Sequence, residues 1–252
     1  MAEKEMQENI VTELSEEETV RLIIDMVHRI IVHHTLWFNE VIHQMGMEKA
    51  LAVMGRAFSR GKEIQLKRLA TFFNIELVDN LPKMLLDMPR ERKQELMSEL
   101  GKNWIANDGV WFQAVEETHG MNDAKRCNDT CWTRFSPFEA WSIKQLLQLP
   151  EWAGLAGLKK GLQLRMYAHI NKQSIIEESD TSFIFQMNEC RVQLARKRKG
   201  LPDYPCKSVG LVEYGTFAET IDAGIRTECI GCPPDKHPDE WYCCWRFTIS
   251  DE

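Results

Sequence analysis

The 252-residue sequence has no cysteine before Cys127, no long apolar run and no extended basic segment, and each absence excludes a class of protein. No stretch approaches the roughly 18 to 20 consecutive apolar residues that span a bilayer, so no membrane partner is expected. Residues 1–18 are acidic and contain no apolar segment of a signal peptide, which predicts a cytoplasmic location. The net charge is −7 and the one basic run is short (Arg196 to Lys199), so no nucleic-acid partner is expected.

The cysteines are unevenly placed. Eight are present, and six of them lie between Cys190 and Cys244. In a cytoplasmic protein, cysteines are expected to be free thiols or metal ligands and not a disulfide framework. The sequence therefore predicts a thiol-rich module in the C-terminal part of the chain.

The hydrophobic periodicity changes near residue 150. Before this point, apolar residues recur at helical spacings of three and four. After it, β-branched and aromatic residues dominate in Ser182 to Met187 and in Trp241 to Ile249, as in strands. The sequence therefore predicts an α+β fold in which a helical half precedes a four-stranded antiparallel sheet with packed helices. It predicts two domains, a helical domain at 1–150 and a cysteine-rich α+β domain at 151–252.

One segment of the helical half occurs twice. Residues 37–50 and 111–124 share six identical residues in fourteen positions, among them a tryptophan and a glycine. This similarity indicates a duplicated helical hairpin. Chance similarity between two amphipathic helices is the alternative.

Three ionisable residues lie in or just before the second copy of this repeat. Asp108 lies on an apolar helical stripe between Trp104 and Trp111, where carboxylates are rare unless they are paired. A buried Asp108 with a histidine, lysine or backbone partner is therefore expected, and an aspartate that caps a helix break is the alternative. Glu116 and His119 are three residues apart and share one helical face. Exposed residues at the end of a helix are the alternative interpretation of Glu116 and His119.

The C-terminal cysteines have a pattern typical of metal ligands. Cys229-Ile230-Gly231-Cys232 has the spacing of a knuckle in which two thiolates approach one ion around a glycine. Single cysteines elsewhere would complete the ligand set. The candidate metal ligands are Cys190, Cys206, Cys229, Cys232 and Cys243. Zinc is the expected metal and an iron–sulfur cluster the alternative, while a reactive thiol or packed structural cysteines are also left open.

Three segments, Asn107 to Phe112, Met121 to Cys127 and Cys229 to Asp235, carry a resemblance to a known family. Over nearly its whole length the chain resembles cytosolic proteins of anaerobic bacteria and archaea to which no reaction is assigned. Around Cys190 and at Cys243 to Phe247, the C-terminal half is more distantly similar to L-2-amino-thiazoline-4-carboxylic acid hydrolases. The same residues also resemble the vinyl-reductase-like small-ligand-binding domain.

These resemblances imply two different functions. The hydrolase resemblance implies metal-assisted addition of water to the cyclic C=N bond of a thiazoline, with an acid–base residue that moves protons. Asp108, Glu116 and His119 are the candidate catalytic residues that this resemblance implies. The resemblance to the ligand-binding domain implies a non-enzymatic sensor or carrier that holds a small ligand or a metal. Both imply a small-molecule partner. An open metal position and a polar pocket would favour the enzyme, whereas a closed metal and an apolar pocket would favour the sensor.

Overall fold

The structure is a computed structural model that describes residues 13–250, and the chain divides into two units after residue 69. The first unit is helical. It contains α1 (Glu16–Met45) and the larger part of α2 (Met47–Phe73). A capping box, in which the Ser15 side chain and Glu18 bond to each other's backbone N–H groups, begins α1.

The second unit is an α+β assembly. Its elements in chain order are β1 (Leu77–Val78), β2 (Leu81–Pro82), α3 (Lys83–Leu86), α4 (Arg90–His119), α5 (Met121–Leu146), α6 (Gly154–Leu164), a 3-10 turn (Met166–His169), β3 (Lys172–Ser179), β4 (Ser182–Glu189), α7 (Arg191–Arg198), α8 (Lys207–Ile221), β5 (Ile225–Gly231) and β6 (Cys243–Ile249). None of the helices in the described residues combines the length and the apolar content needed to cross a membrane.

Strands β3 to β6 form an antiparallel sheet in the order β3-β4-β6-β5. The two central strands bury one face, which carries Phe183 and Phe185 on β4 and Trp245 and Phe247 on β6. This face forms one hydrophobic core with apolar residues of α5, α6 and α8. The predicted α+β fold with a four-stranded antiparallel sheet is confirmed. Because α5 also packs along α8, helices from both sides of residue 150 contribute to this core, and a domain boundary at that residue stays a prediction.

The repeated segment has the same backbone geometry in both copies. Helix α1 ends at Gly46 and α4 ends at Gly120, and a new helix begins at the next residue in each case. The two glycines have φ values of 83° and 87° and ψ values of 165° and 168°. Such positive φ values favour glycine over any residue with a side chain. The shared helix–glycine–helix joint agrees with the predicted duplication.

A proline inside α5 does not interrupt the helix. From the sequence, Pro137 predicts two short helices, because proline lacks an N–H group and clashes with the preceding turn. That prediction is wrong, since α5 is continuous from Met121 to Leu146. Ser136 and Pro137 are both buried, and Ser136 Oγ donates a 2.5 Å hydrogen bond to the Glu213 carbonyl on α8. Packing of α5 on α8 therefore outweighs the local cost of the proline.

A buried cation links three helical segments of the second unit. Arg165, which follows α6, is only 1% exposed. Its Nε donates to Glu139 on α5 at 2.8 Å, and its Nη2 donates to Glu213 on α8 at 2.6 Å. Four aromatic rings have centroids between 4.8 and 6.0 Å from the guanidinium carbon: Trp132, Tyr167, Tyr214 and Phe217. Arg165 therefore satisfies two buried carboxyl groups and packs within an aromatic shell.

We expect Arg165→Met to lower the free energy of unfolding by about 3–5 kcal/mol, because Glu139 and Glu213 lose their shared counter-charge inside the protein. Urea unfolding at neutral pH measures this loss. The control is Lys172→Met, which removes an exposed ion pair with Glu189 and should cost less than about 1 kcal/mol. Equal losses in the two variants would contradict a central role for Arg165.

Candidate functional site

A cavity of about 420 Å³ lies in the second unit, at the end of the sheet where β4 and β5 finish and β6 begins. Helices α4, α5, α7 and α8 contribute to its walls. Most of the lining surface is apolar, and aromatic and aliphatic side chains contribute to it, among them Ile105, Phe112, Trp132, Tyr167, Val192 and Tyr214. Because the walls come from both the helices and the sheet, the cavity is an internal feature of the α+β fold.

Four thiols lie side by side on the sheet side of this cavity, and we call them the thiol wall. They are Cys190, Cys206, Cys232 and Cys243. Each comes from a different place in the chain, respectively after β4, before α8, after β5 and at the start of β6. The structure thus brings together four of the five predicted metal ligands. Cys229, the fifth, packs against the hydrophobic core and is not part of the lining.

Cys232 is the centre of the thiol wall. Its thiol is in hydrogen-bonding contact with the sulfurs of Cys206 and Cys243, and these contacts raise the pKa of Cys232. The hydrogen bond from Cys232 lowers the pKa of Cys243, against the effect of burial, and the Tyr214 hydroxyl adds a second bond. Burial raises the pKa of Cys190. The thiols of the wall therefore differ in pKa: those of Cys232 and Cys190 are raised, and that of Cys243 is lowered.

A β-bulge determines which way Cys232 faces. The β5–β6 register pairs Cys229 with Trp245 but Gly231 with Cys244, so that one residue of β5 between these pairs has no partner. In a regular strand, residues three apart would point to opposite faces of the sheet. The extra residue changes the alternation, and Cys232 faces the cavity.

The thiol wall resembles a metal site in composition but not in arrangement. Within residues 13–250, no three His, Cys, Asp or Glu side chains are placed so that they could hold one metal ion together. The sulfurs of the wall contact each other instead. Four thiols are nevertheless a donor set that zinc or an iron–sulfur cluster accepts. Bound zinc or an iron–sulfur cluster therefore stays a prediction.

A buried amide supports one edge of the thiol wall. Gln193 on α7 is 1% exposed, and its Nε2 donates to Cys206 Sγ at 3.1 Å and to the Tyr204 carbonyl at 2.9 Å. Its Oε1 accepts the Tyr204 N–H at 2.8 Å. The Tyr204 ring in turn packs edge-on against Phe112, with centroids 5.2 Å apart. Gln193 thus ties the segment before α8 to the cavity.

The predicted acid–base residues are only partly brought together. Asp108 and Glu116 on α4 line the cavity, whereas His119, the last residue of α4, is exposed and lies outside the lining. Burial raises the pKa of Asp108, and no neighbouring cation offsets this effect. The expected partner of Asp108 is therefore not found in the described part of the chain. The alternative of a helix cap is wrong, because α4 continues past this residue to His119.

Charged groups of both signs border the cavity. Besides Asp108 and Glu116, the lining includes Glu213 and a set of cations, Lys102, Arg191, Arg196 and Lys199. Burial raises the pKa of Glu213, an effect that the bond to Arg165 opposes and the charge of Asp108 reinforces. The negative charge of Asp108 also raises the pKa of Cys131. Among the carboxyl groups that line the cavity, Asp108 is thus the one whose pKa is shifted by desolvation alone.

Several site residues were missed by the sequence reasoning. Glu213 had a usable signal, since it lies in a helix between the apolar residues Val209 and Phe217, where a carboxylate needs a partner. Gln193 had none, because it belongs to a short helix rich in exposed basic residues. Arg165 also had none, as its partners are 26 and 48 residues away in the chain.

Replacement of Asp108 by asparagine should stabilise the protein at neutral and alkaline pH. A carboxyl with a raised folded-state pKa is costly when ionised, and this cost disappears once the pH falls below the ordinary aspartate pKa. We expect Asp108→Asn to raise Tm by about 2–4 °C near pH 8 and by almost nothing near pH 3. Thermal unfolding across this range measures the difference. The exposed α4 variant Glu117→Gln should show no such trend, and a loss of stability in Asp108→Asn at pH 8 would reveal a missed partner.

Comparison with known proteins places the chain in one family. A model of the Family of unknown function (DUF6125) matches residues 12–88 and 86–249. No curated protein and no solved structure matches the chain. The expected family without an assigned reaction is therefore supported, while the similarity to thiazoline hydrolases and to the vinyl-reductase-like domain stays a prediction. Because the two matched segments cover nearly the whole sequence, the chain belongs to the Family of unknown function (DUF6125).

Proposed function

We propose that the protein binds a small organic molecule in the cavity of the second unit, as a sensor or carrier would. The observation that carries this proposal is the cavity itself. Its volume of about 420 Å³ lies within the range of about 300–1,000 Å³ that is typical of small-molecule sites. Most of its lining surface is apolar, as in such sites, and polar and charged side chains supply the rest. An apolar pocket favours ligand binding over hydrolysis.

Two polar groups would orient the ligand. Asn171 lines the cavity; its Oδ1 accepts the Arg191 N–H at 2.8 Å, but its Nδ2 is buried with no hydrogen-bond partner among the described residues. A buried donor without a partner costs about 1–3 kcal/mol, which an acceptor on the ligand would relieve. Asp108 supplies the opposite property, an acceptor without a counter-charge. The preferred ligand therefore has an apolar body, one acceptor and one donor.

Filling the cavity should abolish binding without harming the fold. Gly109 on α4 lines the cavity, and a Cβ atom at this position would meet nothing within 4 Å. We expect Gly109→Leu to weaken binding of anilinonaphthalene sulfonate, a fluorescent apolar probe, by at least about tenfold. Tm should not fall, because glycine inside a helix is less favourable than leucine by up to about 1 kcal/mol.

The matched control is Gly215→Leu. Gly215 is also a helical glycine, on α8, and a Cβ atom added there would likewise meet nothing within 4 Å, but it lies outside the cavity lining. Its variant should bind the probe as the unchanged protein does. Equal binding in all three proteins would show that the probe binds elsewhere and would count against the proposed ligand site.

Hydrolysis is the second candidate function, and one observation favours it. Asp108, whose pKa burial raises, faces the same cavity as the thiol wall. A carboxylate with a raised pKa is a suitable general base for activating water, and such a base contributes about 10²–10⁴-fold to a rate. Asp108 would accept a proton as a water oxygen adds to the carbon of the C=N bond.

The test is turnover of L-2-amino-thiazoline-4-carboxylic acid, with ring opening followed by the appearance of a free thiol. We expect Asp108→Asn to reduce the rate by at least about 100-fold, because the base is lost. Glu117→Gln, a change at an exposed carboxyl of the same helix, should leave the rate unchanged. Absence of turnover in the unchanged protein, with and without added zinc, would reject this second candidate.

A further inference from the structure

Two cysteines of the thiol wall lie at the adjoining ends of neighbouring strands. Gly231 pairs with Cys244 at the end of the β5–β6 ladder; Cys232 directly follows Gly231, and Cys243 directly precedes Cys244. Both line the cavity, and an interaction between their thiols lowers the pKa of Cys243. Opposed residues in an antiparallel ladder have Cα atoms about 4.5–5.5 Å apart, and a disulfide needs about 4.4–6.8 Å. Because the two residues directly follow the last pair of the ladder, we expect their Cα atoms to lie within the range that a disulfide needs.

We propose that Cys232 and Cys243 form a redox-active dithiol that reduces a small organic disulfide bound in the cavity. This activity goes beyond ligand binding, because it uses a covalent reaction at the thiol wall. The substrate class follows from the site, since the cavity admits a small molecule with apolar groups and presents two adjacent sulfurs to it. A disulfide accepts two electrons from such a pair by thiol–disulfide exchange.

The reaction has two balanced steps. The Cys243 sulfur attacks one sulfur of the substrate, the substrate S–S bond breaks, and the first substrate thiol leaves with the proton that Cys243 gives up. The Cys232 sulfur then attacks Cys243 Sγ in the mixed disulfide, and the second substrate thiol leaves with the proton of Cys232. Two electrons and two protons pass to the substrate, which becomes two thiols. A small dithiol from solution returns the pair to its reduced form by the reverse exchange.

The geometry favours this pair over the other thiols. Cys232 and Cys243 lie at the adjoining ends of two paired strands, β5 and β6. Cys206 precedes α8, outside the sheet, and its sulfur already accepts a hydrogen bond from the Gln193 amide at 3.1 Å. Cys127 and Cys131 are exposed on α5 and lie outside the cavity lining. Their reaction with a disulfide would therefore be a background unrelated to the cavity.

The experiment uses the full chain with Cys127→Ser and Cys131→Ser, which removes the exposed background. This protein is reduced, freed of reductant and treated with cystamine, a small disulfide. Released cysteamine is counted, remaining thiols are blocked with N-ethylmaleimide, and the disulfides are mapped by peptide mass spectrometry. We expect two cysteamines per chain and one disulfide that joins Cys232 to Cys243. Addition of dithiothreitol should restore both thiols.

Two further variants separate the roles of the pair. In Cys232→Ser the reaction should stop after one cysteamine, with the second trapped on Cys243. In Cys243→Ser no disulfide should form at either position. Circular dichroism and Tm confirm that each variant is folded before the assay. These readouts are independent of probe binding to Gly109→Leu, so that failure of one proposal is distinguishable from failure of the other.

Four results would overturn the redox assignment. The first is a mapped disulfide between Cys206 and Cys232, and the second is a mixed disulfide on Cys243 that Cys232 never displaces. The third is no reaction with cystamine in the folded protein. The fourth is one zinc per chain in protein purified without a metal-affinity step, with Cys232 and Cys243 inert until a chelator removes the metal. This last result would assign the thiol wall to metal binding.

Discussion

The cavity depends on one buried cation. Arg165 lies between Glu139 on α5 and Glu213 on α8, within hydrogen-bonding distance of both. Burying each of these charges costs several kcal/mol, and only close pairing with good geometry repays that cost. Glu213 also lines the cavity, as do three of the rings around the guanidinium, Trp132, Tyr167 and Tyr214. The ion pairs that hold the helices together therefore also fix one side of the site. The shape of the pocket is thus a consequence of how the core neutralises its charge.

The two sides of the cavity have different chemistry because they come from different elements. The ends of the antiparallel strands supply sulfur, since β4 and β5 finish and β6 begins at the same edge of the sheet. The helical side supplies aromatic rings and the carboxyl of Asp108. Desolvation makes ionisation of Asp108 costly, and the charge of Asp108 raises the pKa of Glu213 in turn. A ligand that donates a hydrogen bond to Asp108 would therefore relieve an unfavourable interaction that extends to the Arg165 centre.

The sequence predicted the composition of the site better than its geometry. Periodicity and cysteine spacing indicated the sheet, the thiol cluster and a carboxyl at Asp108, because these signals are local. They placed Cys229 in the cluster, since no local signal reveals the bulge that turns Cys232 to the cavity, or that Cys229 packs against the core outside the lining. The same local signals predicted a break in α5 at Pro137, because helix propensity does not include the packing of α5 on α8. The ion pairs of Arg165 with Glu139 and Glu213 cannot be predicted from any short segment of sequence, because these residues are far apart in the chain.

Alternation along β6 explains why only one of its two adjacent cysteines, Cys243, lines the cavity. Cys243 and Cys244 are adjacent in sequence, but successive side chains of a strand point to opposite faces of the sheet. Cys243 therefore faces the cavity, whereas Cys244 lies across the sheet and accepts a hydrogen bond from the Gln186 amide at 3.7 Å. On the partner strand, the bulge in β5 shifts the alternation of side chains, so that Cys232 faces the cavity. Two separate features of the backbone, strand alternation and one inserted residue, thus combine to bring Cys232 and Cys243 together at the wall of the pocket.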